Sequence, residues 1–359
     1  MPQTDKITFL LNWAATPYHA PVFLAQSKGF FAQEGLKVAI LEPNDPSDVT
    51  EIIGSGKVDL GAKAMVHTIA GKAMGYPITS IGTLMDEPVT GVVYLEGGLS
   101  GSQTGAVTSD FASLRGKKIG YVGHFGKIQI DELFQWHKLL KDDGTPDYTP
   151  ARCSMQIADS ILNGSIDAGI GLENVQTVEL EEWCKSNDRS VEDVKMLRID
   201  ELAALGCCCF CSILLIGNDD FIDANKDKVA AFVRAVKKGT DYLLSNPIDA
   251  WNEYKSFKKS MRTPLNDKIF ERSVNYMSKD LVNVERDWNK VTGYCKRLGL
   301  IEEDFKPNFT NEFISWEHEA QPADPLANQK VIASKQDAVR NGGGVLSGEN
   351  VSVAVSVKA

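Results

Sequence analysis

Apolar and polar positions alternate along the chain in a way that predicts short strands separated by helices. Residues 6–13 carry Ile7, Phe9, Leu10 and Leu11 almost without interruption and read as a buried strand. From Pro17 to Gly29 the apolar positions Pro21, Val22, Leu24 and Ala25 fall at helical spacing, and Gly29 closes the helix. Residues 36–41 form a second strand. Pro46, Ser47 and Asp48 open a helix through Ile53, with Ser47 as its N-cap. Residues 57–60 read as a short strand and 64–74 as the next helix. Such alternation implies a parallel sheet with helices on both faces.

Residues 92–95 form another strand, and 97–110, rich in Gly, Ser and Thr, an exposed loop. A new unit begins at 117–122, with its helix starting near Lys127 and a later strand at 166–170. Residues 207–216 read as one long apolar strand, and 221–316 as mainly helix. Beyond Pro322 the pattern fades into a tail expected to be mobile. The order predicts a two-lobed α/β binding-protein architecture with a ligand cleft at the carboxyl ends of strands. One lobe takes residues 1–100 and 212–320, the other 101–211, and 321–359 form the tail.

Composition narrows the classes of function. The chain has 359 residues, 43% hydrophobic and 24% charged, with a formal net charge of −10. That acidity, without a basic run, argues against nucleic acid or an anionic membrane as partner. Any anionic ligand must therefore be held by local design. The first residues lack a secretory signature, and no apolar run approaches the roughly 18 residues that span a bilayer. A cytoplasmic protein is expected. The seven cysteines are odd in number, which argues against a disulfide framework in such a compartment.

Six features could carry chemistry. Lys63 and His67 lie where a strand gives way to a helix; if both are helical, they share a face about 5–6 Å apart. A lysine there can form a Schiff base with an aldehyde, and a histidine beside it can be base, ligand or reactant. The plainer alternative is a solvated Lys63 and a packed His67. Gly123, His124, Phe125 and Gly126 follow a strand and precede a helix, where backbone N–H groups can approach a phosphate; an ordinary turn is the alternative. Neither a dinucleotide fingerprint nor a Walker A sequence is present. Cys207, Cys208, Cys209 and Cys211 offer soft thiolates suited to iron, zinc or copper, yet lack the spacing of a zinc knuckle. On a strand, Cys207, Cys209 and Cys211 would share one side, about 7 Å apart, or simply pack as small hydrophobes. Asn12 and Trp13 end the first strand, where an amide and an indole could hold an aromatic ring. Glu173, just past the strand at 166–170, could hydrogen-bond a ligand in the cleft. His19 could also reach the cleft.

Together these residues resemble a family. Asn12 and Trp13 with Thr16, Pro17, Tyr18 and His19; Glu42, Pro43 and Pro46 to Thr50; Gly54 to Lys57 with Asp59; Lys63, Ala64, Met65, His67 and Thr68; Gly123, Phe125 and Gly126 to Glu132; and the block from Cys207 to Cys211 are similar to the fungal 4-amino-5-hydroxymethyl-2-methylpyrimidine phosphate synthases. The likeness runs from about Thr4 to about Trp316. It implies the type 2 periplasmic-binding-protein fold, a homodimer, and an enzyme of thiamine biosynthesis. It also implies pyridoxal phosphate as substrate, bound as an imine on Lys63 with its phosphate at Gly123, His124, Phe125 and Gly126, and with Asn12, Trp13 and Glu173 around it. By the same resemblance, His67 is consumed to supply pyrimidine atoms, iron and oxygen are required, the cysteine block is where iron acts, and each chain turns over once. His124 stands where the family usually has glutamate, and Ala62 replaces a bulkier residue. Two competitors remain: a pyrimidine-binding solute receptor of the same fold, and a metal- or redox-sensing protein built on the cysteine block.

Overall fold

The computed structural model describes residues 5–86, 88–99, 106–199, 211–318 and 344–347. Two five-stranded sheets organise it. The first runs β2 (Leu36–Leu41), β1 (Asp5–Leu10), β3 (Leu60–Ala64), β10 (Ile213–Asn218), β4 (Ile78–Met85). The second runs β7 (Thr149–Arg152), β6 (Lys118–Tyr121), β8 (Ala168–Leu172), β5 (Thr90–Leu95), β9 (Val194–Arg198). The architecture is thus the expected two-lobed α/β fold.

Neither sheet is wholly parallel, which corrects the reading from alternation. β1 pairs in parallel with β2, Asp5 opposite Leu36 through Leu10 opposite Leu41, and with β3 on its other side. β10 is antiparallel to both β3 and β4, and β5 to both β8 and β9. These two strands are the ones by which the chain arrives from the other lobe. Parallel neighbours need a crossover helix, whereas a strand entering directly can run reversed. The first crossing falls between Met85 and Thr90, earlier than residue 100, because β5 belongs to the second sheet.

Local chemistry moves several boundaries. The strand expected at 57–60 lies at 60–64 instead. Asp59 is diverted, since its carboxylate accepts from both the N–H and the hydroxyl of Thr8, each at 2.7 Å. Leu60, Gly61 and Ala62 then go into the sheet, where a Cβ on Gly61 would lie 2.6 Å from the Leu10 carbonyl oxygen. Asp45, not Ser47, caps the turn Pro46–Asp48 that leads into α3 (Val49–Gly54), its side chain accepting from Ser47 N–H at 2.8 Å. β4 was not expected, because Thr79, Ser80 and Thr83 interrupt its apolar run. Half-buried Thr79 donates to Asp219 and buried Ser80 to Asn283, so each hydroxyl is satisfied within the strand. β7 and β9 were likewise unexpected.

The first lobe packs its sheet on α1 (Ala20–Ser27) and α9 (Lys226–Ser245), with Phe9 and Phe31 stacked on Phe232 at 5.2 and 5.3 Å. Behind them α10 (Pro247–Phe257) and α11 (Pro264–Val274) bury Trp251 against Phe270. The second lobe has its own core of Val93, Leu95, Ile157, Ile161 and Leu180. Among the described residues, no helix is long and apolar enough to cross a membrane. Apart from 344–347, the tail lies outside the described residues, as does the middle of the 97–110 loop.

Candidate active site

A cavity opens between the two sheets, lined from the first lobe by Asn12, Trp13, Tyr18, Ser47, Lys63 and His67. The second lobe contributes Thr90, Gly123, Phe125, Gly126, Gln129 and Gln176, and Cys211 lies at the return between lobes. β1, β3, β6 and β8 run toward it and end there, as expected for a fold of this kind, while the reversed strands β5 and β10 begin there at Thr90 and Ile213.

Lys63 is not helical. It is the fourth residue of β3, opposite Leu214 of β10, and His67 lies in the first turn of α4 (Met65–Ala73). The pair still meets, because the chain passes from strand to helix at Ala64 and both side chains turn into the cavity. Lys63 is 3% exposed, and its ammonium donates to the Pro46 carbonyl. Burial lowers its pKa to about 8, with Asp45 and Asp48 opposing the shift. A lysine near 8 is partly a free amine at neutral pH.

His67 meets Phe125 edge-on at 4.7 Å. Among the described residues nothing hydrogen-bonds its ring nitrogens. Burial, then the charges of Lys63 and His124, pull its pKa well below the ordinary histidine value. The ring is therefore neutral, and it lines the cavity.

The helix α5 (His124–Trp136) begins at His124, three residues before the expected start. Gly123 is its N-cap, in extended conformation, and no side chain caps it. Its first N–H groups have no intrahelical acceptor and carry the positive end of the helix dipole. A Cβ on Gly123 would lie 3.1 Å from Ser47 Oγ, and one on Gly126 3.3 Å from Ile170 Cγ2, so glycine lets this turn lie close against its neighbours. Gln129, one turn on, is 4% exposed, and its Nε2 has no hydrogen-bond partner. An uncapped helix start and a spare buried donor on one cavity suit an anionic ligand.

The model of the family described as NMT1/THI5 like matches residues 16–250. This chain belongs to the NMT1/THI5-like family. Curated relatives carry the name 4-amino-5-hydroxymethyl-2-methylpyrimidine phosphate synthase. That of Uromyces fabae is 62% identical over 345 residues, spanning 96% of this chain and 98% of its own. That of Aspergillus parasiticus is 60% identical over 341 residues, 95% and 96% of the two chains. Among solved structures, a Candida albicans protein with the generic periplasmic binding protein fold superposes with a TM-score of 0.61 at 16% identity, over 89% of this chain and 99% of that one. The alkanesulfonate-binding protein SsuA of Xanthomonas axonopodis pv. citri gives 0.60 at 13%, over 84% and 96%. These two establish the fold alone.

Within this NMT1/THI5-like site, two expected contacts are corrected. Glu173 does not line the cavity. It opens a π-helical turn, Glu173–Thr177, and its carboxylate accepts from Arg272 and, at 3.1 Å, from Tyr276 Oη of the first lobe. A carboxylate committed to a buried guanidinium is not available to a ligand. His124 is exposed and does not line the cavity; it bears on the site through its place at the helix start and through its charge on His67. Cys211 lines the cavity but lies before β10, not within a strand running from 207. Burial raises its thiol to about 12, with the Thr90 hydrogen bond opposing. Cys207, Cys208 and Cys209 lie outside the described residues. Among the described residues, no three His, Cys, Asp or Glu side chains are grouped to hold a metal. Tyr18, Thr90, Gln129 and Gln176 were not singled out for the cleft. Helical and strand periodicity marks a buried face but cannot separate a core from a cavity wall.

Proposed function

We propose that this chain is a 4-amino-5-hydroxymethyl-2-methylpyrimidine phosphate synthase of thiamine biosynthesis that uses pyridoxal phosphate and its own His67 as substrates. One observation carries the reading. A buried lysine of lowered pKa and a neutral, unpartnered histidine open on the same cavity as an uncapped helix start.

Each residue then has a task. Lys63 attaches the aldehyde carbon through its free amine. The α5 N-terminus takes the phosphate, and Gln129 adds a side-chain donor. Asn12 and Trp13 hold the ring. His67 is thereby kept beside the bound ring, which raises its effective concentration by orders of magnitude over a free imidazole. The apolar wall from Phe125 and Ile170 keeps water away from the reacting groups. Opening an imidazole is an oxidation, for which iron with dioxygen supplies the redox chemistry. Cys211, with Cys207, Cys208 and Cys209 before it in sequence, is the thiol set this reading gives to iron. The reading also makes the protein a cytosolic homodimer, which sedimentation of the full chain tests. A pure solute receptor needs no buried amine, so Lys63 favours the enzyme.

Peptide mass spectrometry across residues 63–67, after loading with pyridoxal phosphate and exposure to iron(II) and oxygen, tests the proposal. His67 should lose mass in step with pyrimidine phosphate release, and His67→Asn should release none. Product without change at His67 sinks its role as substrate. No attachment at Lys63 sinks the enzyme reading.

A further inference from the structure

Asn12, Tyr18 and His19 form a chain of hydrogen bonds in the cavity wall, and one backbone group sets its direction. The Thr16 N–H can only donate, and it points at His19 Nδ1 over 3.3 Å. Nδ1 therefore presents its lone pair, and the hydrogen of neutral His19 sits on Nε2. Nε2 lies 2.9 Å from Asn12 Oδ1, so it donates and the amide oxygen accepts. Asn12 Nδ2 is left to donate to Tyr18 Oη, at 3.2 Å. Tyr18 thus receives a hydrogen bond and still has its own hydrogen to give. Among the described residues no acceptor takes it, while Tyr18, 3% exposed, lines the cavity.

The array is rigid. His19 is fully buried, its ring packs on that of Tyr18 at 4.3 Å, and the Tyr254 hydroxyl holds the Thr16 carbonyl at 3.3 Å. Burial, then the charge of Lys258, lowers His19 to about 3, so it stays neutral at physiological pH and Nδ1 keeps its lone pair.

We propose that Tyr18 is a specificity-determining residue of the cleft, whose hydroxyl donates to a lone pair on the ring of the bound pyridoxal-type ligand, its nitrogen or the oxygen beside the aldehyde. Asn12 and His19 are positioning residues that face this hydrogen inward. A ring without an acceptor at that place leaves a buried donor unpaired, which is the strongest form of rejection available to such a site. The inference rests on the functional reading above.

The test titrates wild type, Tyr18→Phe and Asn12→Asp with pyridoxal phosphate, following the absorbance of the lysine adduct across pH, with a thermal melt of each protein. Tyr18→Phe should melt near wild type, bind about tenfold more weakly, and move the pH at which the adduct absorbance changes. Asn12→Asp keeps the phenol but offers it a carboxylate, so the hydrogen turns away from the ligand and the variant should behave as Tyr18→Phe does. An adduct in wild type that Tyr18→Phe leaves unchanged in affinity and absorbance overturns the inference alone. No adduct in wild type overturns the functional reading and this inference with it. Nitrogen-15 NMR of His19 in the unliganded wild type gives a readout free of any variant. A hydrogen on Nε2 supports the array, and one on Nδ1 overturns it.

Discussion

An amine must lose a proton before it can attack a carbonyl, and the surroundings of Lys63 decide when it does. With a pKa of about 8, roughly a tenth of it is neutral at pH 7, against fewer than one in a thousand for an ordinary lysine. The sign follows: the neutral fraction grows with pH and saturates above 8. The rate of pyridoxal phosphate attachment, followed by stopped-flow absorbance, should rise about tenfold from pH 6 to 7 and level off beyond 8. Asp45 raises this pKa, so Asp45→Asn should move the midpoint to lower pH; a midpoint unmoved or raised refutes the assignment. That Lys63 and His67 could meet was legible from their spacing, but the geometry that brings them together is different. They share a cavity, not a helix face, because Asp59 is held by Thr8 and the strand slides three residues along. No periodicity reports a side chain that folds back on its neighbour.

At the level of elements, α5 brings to the cavity an uncapped helix start at a glycine turn, with no acidic residue in its first turn. If it holds the phosphate, pyridoxal lacking that group should bind at least tenfold more weakly. Sulfate should compete with pyridoxal phosphate but not with pyridoxal. Equal affinity for the two ligands by isothermal calorimetry would place the anion elsewhere. The glycine turn itself was readable, since glycines between an apolar run and a helix are a local signal. The start of α5 was missed because His124 and Phe125 carry no capping signature. β4 was missed because its polar residues are satisfied by partners far along the chain. Glu173 looked available for the matching reason, its partner Arg272 lying on a helix that local sequence cannot place beside it.

For the whole molecule, the two lobes are held by charge as well as by packing. Arg272 of α11 reaches both Glu173 and, at 2.6 Å, Glu181 in α7 (Val178–Ser186) of the opposite lobe. Arg152 at the end of β7 reaches Asp45 at 2.7 Å. The first cluster is buried and the second largely exposed, so they differ in worth. Arg272→Met strands two carboxylates inside and should cost about 3–5 kcal/mol in denaturant unfolding; a loss under 1 kcal/mol would show the cluster is not a structural clasp. The lobed fold was visible in the sequence because alternation of strand and helix is local, while these clasps join residues about a hundred positions apart. The antiparallel β10 carries a further consequence. It fills the gap between β3 and β4, so the sheet bearing Lys63 has a missing centre until the chain has been synthesised past Asn218. During translation the nascent chain therefore cannot hold Lys63 and His67 in their places on the cavity wall until β10 has emerged to pair with the strand that carries the lysine.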